Sequence, residues 1–279
     1  ISKINKLKAV IRKTHAAGST VGFVPTMGAL HEGHLSLVRK ARDTADTVLV
    51  SIFVNPMQFG RGEDFERYPR NLSHDVELLT RAGVDYVFAP SAEEFYPKDF
   101  DTYVEVQRLS DPMCGLSRPG HFRGVATVVA KLFTMVEPDF AFFGQKDAQQ
   151  AIVIRRMACD LNFPVDVRIC PIVREEDGLA MSSRNAYLAP AERAAARVLY
   201  QGLCRASALV LEGERQAARI RQVVLDLIAL EPLARPEYVE VVSARDLEPV
   251  TVLRGTVLVA LAVHIGRTRL IDNLLIDVP

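Results

Sequence analysis

The sequence predicts an α/β protein in which a doubly wound parallel sheet is followed by a smaller α+β region. In the first two-thirds of the chain, short apolar segments alternate with amphipathic ones, the order expected of parallel strands joined by helices. One apolar segment, Val48 to Val54, is rich in β-branched residues, as expected of a strand covered on both faces. The alternation ends after Pro171, and we therefore expect two domains, residues 1–172 and 173–279.

The predicted elements of the first domain begin with a helix from Ile4 to Ala17, which Gly18 ends. A strand from Val21 to Val24 is closed by Pro25, and a glycine-bearing turn then leads to a helix that starts near His34. The segments after the second strand are the helix Ser73–Ala82, the strand Tyr86–Phe88, the helix Val125–Val136, the strand Phe140–Phe143, the helix Ala148–Leu161 and the strand Val165–Ile169.

The second domain opens with a polar loop over residues 174–190. Its predicted elements are the helices Ala191–Leu211 and Gln216–Leu230, the strands Tyr238–Val242, Val257–His264 and Arg269–Ile276, and a hairpin turn at His264–Arg267.

Charge and composition narrow the class of function. The 34 basic residues balance the 34 acidic ones, without the basic excess or stripe that nucleic-acid binders usually show. The four cysteines are widely spaced and form no CxxC pair, which argues against a structural zinc site and a disulfide framework. The N-terminal segment does not have the pattern of a signal peptide, and the longest apolar run, Val257 to Val263, is too short to span a bilayer. We expect a cytoplasmic protein that binds neither nucleic acid nor membrane.

The turn between the first strand and its helix, residues 25–34 with the sequence PTMGALHEGH, is the strongest candidate for a nucleotide site. Its glycines let the backbone approach a ligand, and a helix start offers unpaired N–H groups to an anion. His31 and His34 lie three residues apart at that helix start, where both could donate to a phosphate chain. Two alternatives stay open: a capping loop with incidental histidines, and a metal site, which is less favoured because no third ligand lies at suitable spacing.

A second segment is suited to phosphate. The spacing of His31, Gly33 and His34 resembles the HxGH signature of the nucleotidyltransferase superfamily, which includes the class I aminoacyl-tRNA synthetases. Those enzymes also carry a mobile phosphate-gripping loop, and the run of residues 181–185, MSSRN, occupies a comparable place after the last parallel strand. Hydroxyl and guanidinium groups are natural ligands for phosphate oxygens. Taken alone, such a run is usually just a polar turn.

Six segments in order resemble the pantoate–β-alanine ligase (pantothenate synthetase) family. They are PTMGALHEGH, SIFVNPMQF, YPR, RPGHFRG, FFGQKDAQQ and DGLAMSSRNAYL, and a looser similarity continues into RLIDN. The resemblance implies a Rossmann-like domain that binds ATP and pantoate, a C-terminal lid domain, and a homodimer. It also implies an AMP-forming ligase that converts pantoate into pantoyl adenylate, with loss of pyrophosphate, and then joins it to β-alanine with loss of AMP.

The resemblance also assigns roles to residues. It makes His34 the proton donor and implies that His31, Lys146, Ser182, Ser183 and Arg184 act on the phosphates. Further contacts with ATP fall on Met27, Gly28, Ala29, Leu30, Glu32, Gly33, Gly144, Gln145, Asp147, Val173 and Met181. Gln145 departs from the family, many members of which have glutamate there. If all these groups bind one triphosphate, the HxGH and Ser-Ser-Arg segments belong to one site.

The remaining assignments concern pantoate and magnesium. By the resemblance, Gln58 and Gln150 match the glutamines that hold pantoate. An amide suits this role, since it both donates to a carboxylate and accepts from hydroxyls. Second-tier substrate candidates are Asn55, Tyr68 and Arg118; Asn55 could instead end a strand, and Tyr68 could simply pack. Mg²⁺ is expected with ATP, and Asp75 is the acidic position that best matches the family.

Two rival functions remain open. One is a nucleotidyltransferase that moves AMP or CMP onto a phosphate-bearing acceptor, and the other is a nucleotide-sensing module without catalysis. The first would share the HxGH segment but not the paired glutamines. The second would not need His31, His34, Lys146 and the Ser-Ser-Arg run together.

Overall fold

The computed structural model describes residues 1–278, which divide into two compact units. Unit 1 contains residues 1–111, 115–144 and 150–171. Unit 2 contains residues 112–114 and 145–149 together with the chain from Ile172 onward. The sequence-based division at residue 172 places 145–149 in the first domain, whereas by its contacts this segment groups with unit 2. The assignment of an ATP- and pantoate-binding domain and a lid domain stays a prediction.

Unit 1 is built on a five-stranded sheet in which every strand pair is parallel. The strands are β1 (Val21–Thr26), β2 (Thr47–Ile52), β3 (Tyr86–Phe88), β4 (Phe140–Gly144) and β5 (Asp166–Cys170), in the spatial order β3-β2-β1-β4-β5. The helices are α1 (Ile4–Ala16), α2 (Glu32–Arg42), α3 (Leu72–Arg81), α4 (Ala92–Phe95), α5 (Cys114–Ser117, of which Cys114 belongs to unit 2), α6 (His121–Val136) and α7 (Ala148–Asp160, which begins in unit 2). The predicted α/β class is confirmed.

The strand order reverses between β1 and β4, and in open α/β sheets ligands bind beyond the carboxyl ends of the strands at such a point. The apolar strands supply the core: Phe23, Val24, Leu49 and Phe142 are completely buried. The HxGH segment follows β1 directly, so the topology places it at the carboxyl edge of the sheet.

The prediction that Pro25 closes the first strand is wrong, because β1 continues to Thr26. The carbonyl of Thr26 accepts a hydrogen bond from the N–H of Phe53, on the β2 side of the strand. Successive residues of a strand point their backbone groups to opposite sides, so the nitrogen of Pro25 faces the β4 side. The β4 register stops at Phe23, and the missing N–H of Pro25 therefore costs no ladder bond.

Unit 2 combines an antiparallel sheet with helices on one face. The strands β6 (Ala234–Ser243), β7 (Thr256–Ile265) and β8 (Thr268–Asp277) are adjacent in chain order, and the helices are α8 (Pro190–Ala195), α9 (Val198–Leu211) and α10 (Ala217–Ala229). Val257, Val259, Leu261 and Val263 of β7 pack in one buried cluster with residues of α9 and α10. The predicted hairpin between the last two strands is confirmed, with Gly266 and Arg267 in the turn.

The single helix predicted over residues 191–211 is wrong, since α8 and α9 are separated by Ala196 and Arg197. The N–H of Arg197 donates to the carbonyl of Ala194, and the N–H of Leu199 donates to that of Ala196. These bonds span three residues, so one tight turn interrupts the α-helical ladder. No glycine or proline marks the break, and the sequence pattern therefore could not predict it.

Among the helices of residues 1–278, none combines the length and the apolar character needed to cross a membrane.

Candidate active site

The turn that follows β1 is fixed by a buried carboxylate. Asp75 of α3 is 1% exposed, and it accepts hydrogen bonds from the backbone N–H of Ala29 (3.0 Å) and of Leu30 (2.9 Å). Ala29 and Gly28 both have positive φ, at 51° and 80°. A Cβ on Gly28 would lie 2.9 Å from the Asp75 carboxylate, so glycine is required by space as well as by backbone conformation. These contacts therefore fix the backbone conformation of the turn between β1 and α2.

Helix α2 begins at Glu32, two residues before the predicted start at His34, because His31 serves as its N-cap. Nδ1 of His31 accepts from the N–H of Gly33 at 3.2 Å, and Nδ1 of His34 accepts from the N–H of His31 at 3.3 Å. This is a capping box in which two imidazoles replace the usual hydroxyl and carboxylate.

The caps define the tautomer of both rings. A neutral imidazole that accepts at Nδ1 carries its proton at Nε2, so Nε2–H is the donor group of each ring. The two ring centroids are 4.2 Å apart. Two N–H donors side by side at the positive end of a helix dipole are suited to bind an oxyanion such as a phosphate.

Gln58 lies beside this turn, in a short 3₁₀ helix over Pro56–Gln58. Its side chain is 8% exposed, and its Nε2 lies 3.0 Å from the sulfur of Met27. A thioether is a weak acceptor, so the amide N–H groups of Gln58 retain capacity for a stronger one. The structure thus brings the predicted substrate residue Gln58 together with the predicted nucleotide residue Met27.

Asn55 is almost completely buried, and its amide is used within the protein. Its Nδ2 donates to Oε1 of Gln58 and to the carbonyl of Gly124, both at 3.1 Å. Its Oδ1 accepts from the N–H of Met57 and from the hydroxyl of Tyr96. Asn55 therefore orients Gln58, and these contacts favour a supporting role over direct binding of substrate.

Arg118 is held by a carboxylate that sequence reasoning missed. Its guanidinium forms a two-point ion pair with Glu63 at 2.6–2.7 Å. Burial favours the neutral acid, but the hydrogen bonds from Arg118 outweigh it and lower the pKa of Glu63 below the ordinary value. Arg118 also donates to Nε2 of His121, whose Nδ1–H donates to the carbonyl of Gln58 at 2.8 Å. His121 lies within RPGHFRG, one of the six segments that resemble the family, and that segment could have identified it as a site residue.

Tyr68 and Gln150 complete the predicted pantoate residues. Tyr68 is 5% exposed and packs edge-on against Phe59, as the packing alternative expects. Gln150 is half-buried in the first turn of α7. Gly144 ends β4, and the space where its Cβ would lie is open to 4 Å.

The other predicted phosphate ligands belong to unit 2. Gln145, Lys146 and Asp147 form a 3₁₀ turn. Nζ of Lys146 is 3.8 Å from Oδ2 of Asp147, with 19% of the lysine side chain exposed. The amide of Gln145 donates to Oδ1 of Asn273 at 3.3 Å.

The Ser-Ser-Arg segment follows a small loop that doubles back on itself. The carbonyl of Val173 accepts from the N–H of Met181 at 3.0 Å, and Arg174 is paired with Ala180 in a β-bridge. Ser182 then caps a 3₁₀ helix over Ser183–Tyr187, because its hydroxyl accepts from the N–H of Arg184. The predicted ligands thus fall into two groups, one in each unit.

The described residues do not form a metal site made of protein side chains alone. Across residues 1–278, no three His, Cys, Asp or Glu side chains are grouped so that they could hold an ion. Asp75 is buried, with one oxygen bonded to each of two backbone N–H groups. The observed role of this carboxylate is to hold the turn, and its assignment as a ligand of Mg²⁺ stays a prediction without structural support.

A doubly wound parallel sheet, with a histidine-capped helix at the carboxyl end of its first strand, defines an α/β protein of the Rossmann-like class with a helix start suited to an anion. Residues 1–275 match the family described as Pantoate-beta-alanine ligase. The chain belongs to the pantoate–β-alanine ligase family.

Individual relatives are similar to this chain over almost their whole length. The pantothenate synthetase of Heliobacterium modesticaldum is 59% identical over 278 residues, covering 100% of this chain and 99% of that protein. The crystal structure of pantothenate synthetase from Thermus thermophilus superposes with a TM-score of 0.94 at 46% identity, covering 98% of each chain. That of pantoate–β-alanine ligase from Francisella tularensis, complexed with Beta-gamma ATP and beta-alanine, has a TM-score of 0.80 at 32% identity and covers 99% of this chain and 96% of that one.

Proposed function

We propose that this chain condenses pantoate with β-alanine, at the expense of ATP, through a pantoyl-adenylate intermediate. The family match over residues 1–275 is the observation that carries the proposal. The histidine-capped helix start supports it, because phosphate is the anion that such a start binds well. Transfer of AMP or CMP to a phosphate-bearing acceptor is not favoured, since that activity does not account for a match along almost the whole chain.

In the first step, a carboxylate oxygen of pantoate attacks the α-phosphorus of ATP. The new P–O bond forms as the bond from the α-phosphorus to the bridging oxygen breaks, and pyrophosphate leaves. Negative charge shifts onto the departing oxygens, so the protein has to supply positioned donors and positive charge. We assign these donors to Nε2–H of His34 and His31, with His34 as the proton donor of the family resemblance, and the positive charge to Lys146 and Arg184.

In the second step, the neutral amine of β-alanine attacks the acyl carbon of the adenylate. The bond from that carbon to the phosphate oxygen breaks, AMP leaves, and the nitrogen loses a proton to give the amide of pantothenate. Catalysis here depends on holding the amine close to the acyl carbon in the orientation that attack requires. We assign the holding of pantoate to Gln58 and Gln150, with Asn55 and Arg118 acting through Gln58.

The proposal also covers the source of Mg²⁺, the oligomeric state of the protein and its cellular location. The ion is proposed to arrive on the phosphates of ATP, since the described side chains do not form a cage for it. There it would supply positive charge to the phosphate oxygens. We propose a cytoplasmic homodimer on the basis of the family resemblance.

The dependence of each product on each substrate tests this function. With ATP and pantoate alone, we expect pyrophosphate and no more than about one equivalent of adenylate per site, because the intermediate stays bound. Adding β-alanine is expected to give continuous release of AMP and stoichiometric amide, measured by chromatography of the products. Pyrophosphate formed without pantoate, but with a phosphate-bearing acceptor, would establish the transferase function instead.

A further inference from the structure

The side chain of Asn273, in strand β8, forms hydrogen bonds with the segment that contains Lys146. Nδ2 of Asn273 donates to the carbonyl of Gln145 and to the carbonyl of Lys146, both at 2.9 Å. Oδ1 of Asn273 accepts from the side-chain amide of Gln145 at 3.3 Å. Both hydrogens and an oxygen lone pair of one amide are therefore directed to two consecutive residues. Asn273 is itself 2% exposed.

The backbone of Asn273 is in turn held by a buried ion pair. Arg174 makes a two-point contact with Asp272, at 2.6 and 3.0 Å, and Asp272 accepts from the N–H of Asn273 at 2.8 Å. The same guanidinium lies over the ring of Tyr200 at 4.0 Å from its centroid and donates to the carbonyl of Gly178. Asp272 is 2% exposed, so this pair is screened little by solvent.

Adjacent residues of a strand point to opposite faces of a sheet. The registers agree, since Asp272 pairs with Leu261, a residue of the core shared with α9, whereas Asn273 pairs with Ala260. Asp272 thus holds the loop of Arg174 on one face, and Asn273 holds the turn of Lys146 on the other. Two consecutive residues of β8 therefore connect the turn of Lys146 with the loop that precedes the Ser-Ser-Arg segment.

We propose that Asn273 is a positioning residue for the adenylation step, acting through the backbone of Lys146. This inference rests on the proposed function, in which Lys146 stabilises charge on the phosphates. A lysine has a long flexible side chain, so fixing its backbone narrows the region that its ammonium group samples. Asn273 acts by donating to the two carbonyls, and it does not touch the reacting atoms.

The variant Asn273→Asp tests this directly, because it keeps the size of the side chain and replaces the double donor with oxygen. We expect kcat for pyrophosphate formation to fall about 10-fold or more, the scale of a small misplacement of a catalytic group. Aminolysis of synthetic pantoyl adenylate, which no longer involves pyrophosphate, is expected to stay within about twofold of wild type. The matched control Leu275→Ala changes an exposed residue on the same face of β8 and is expected to leave both rates unchanged.

A double-mutant cycle with Lys146→Ala separates positioning from general damage. If Asn273 acts through Lys146, Asn273→Asp is expected to reduce pyrophosphate formation less than about twofold further in the Lys146→Ala background. Equal losses in both backgrounds, equal losses in both chemical steps, or a normal rate in Asn273→Asp would each overturn the inference. Near-normal activity of Lys146→Ala alone would instead contradict the site assigned under the proposed function.

Folding is checked first, by the thermal unfolding midpoint of each variant. If Asn273→Asp is not folded at the assay temperature, Asn273→Leu, which lacks both the donors and the added charge, replaces it. Failure of both variants to fold would show that Asn273 serves the stability of unit 2, and the positioning role would be wrong.

Discussion

Replacing His34 with alanine is expected to lower kcat for pantothenate formation by about 10²-fold or more, the scale seen when a transition-state donor is removed. The physical reason is the Nε2–H donor that the capping contact defines, since Nδ1 of His34 accepts from the N–H of His31. The loss should fall on pyrophosphate formation, measured in a coupled phosphate assay with pantoate and ATP saturating.

Two further substitutions at this position separate the donor from the cap. In His34→Gln the amide nitrogen extends to the place of Nε2, and we expect part of the rate to return. In His34→Asn the shorter amide can replace only Nδ1 at the cap, and we expect a rate close to that of His34→Ala. His15→Ala, at a partly buried position of α1 where Nε2 lies 3.1 Å from the carbonyl of Glu137, serves as the control and should be unaffected. Equal rates in all three His34 variants would show that the cap alone matters.

Replacing Lys146 with alanine is expected to reduce adenylation by about 10²-fold or more, because its ammonium group stabilises charge that develops on the phosphate oxygens. The KM for ATP should rise less than kcat falls, since this interaction strengthens in the transition state. Steady-state kinetics of pyrophosphate release, with ATP varied, measures both quantities.

The second chemical step provides the internal control for Lys146. Aminolysis of synthetic pantoyl adenylate by β-alanine is expected to proceed at a near-normal rate in Lys146→Ala, because pyrophosphate is absent from that step. Lys146→Arg tests geometry at constant charge, and we expect only partial activity because a guanidinium differs from an ammonium in shape and hydration. Lys6→Ala, at an exposed position of α1, controls for loss of a positive charge. A normal rate of adenylation in Lys146→Ala would remove this residue from the site.

Local patterns were sufficient to predict the fold class and most elements. Apolar runs such as Val48–Val54 identify buried parallel strands, and the turn residues Gly266 and Arg267 identify the last hairpin. The break at Ala196 was not predictable, because good helix formers lie on both sides of it and neither glycine nor proline marks it. The strand through Pro25 depends on where the pairing between β1 and β4 stops, which no local pattern records.

The candidate site was predictable where its residues form contiguous motifs, as His31 and His34 do. The residues from distant parts of the chain that hold these motifs in place could not be predicted. Asp75, which accepts a hydrogen bond from the N–H of Leu30, lies 45 residues after it in the sequence. Asn273, which donates to the carbonyl of Lys146, lies 127 residues after that lysine. Asp75 was assigned to magnesium because it is the acidic position that best matches the family, whereas the structure shows it bound to backbone N–H groups. Burial and hydrogen-bond partners decide such roles, and both arise only on folding.

Transfer of oxygen from pantoate to AMP tests the adenylate mechanism most directly. Pantoate labelled with ¹⁸O in its carboxylate is incubated with the enzyme, ATP and β-alanine, and the products are analysed by mass spectrometry. Attack of the carboxylate on the α-phosphorus predicts that every AMP formed carries one ¹⁸O atom and that pyrophosphate carries none. AMP without the label, or label in pyrophosphate or phosphate, would contradict an acyl-adenylate intermediate.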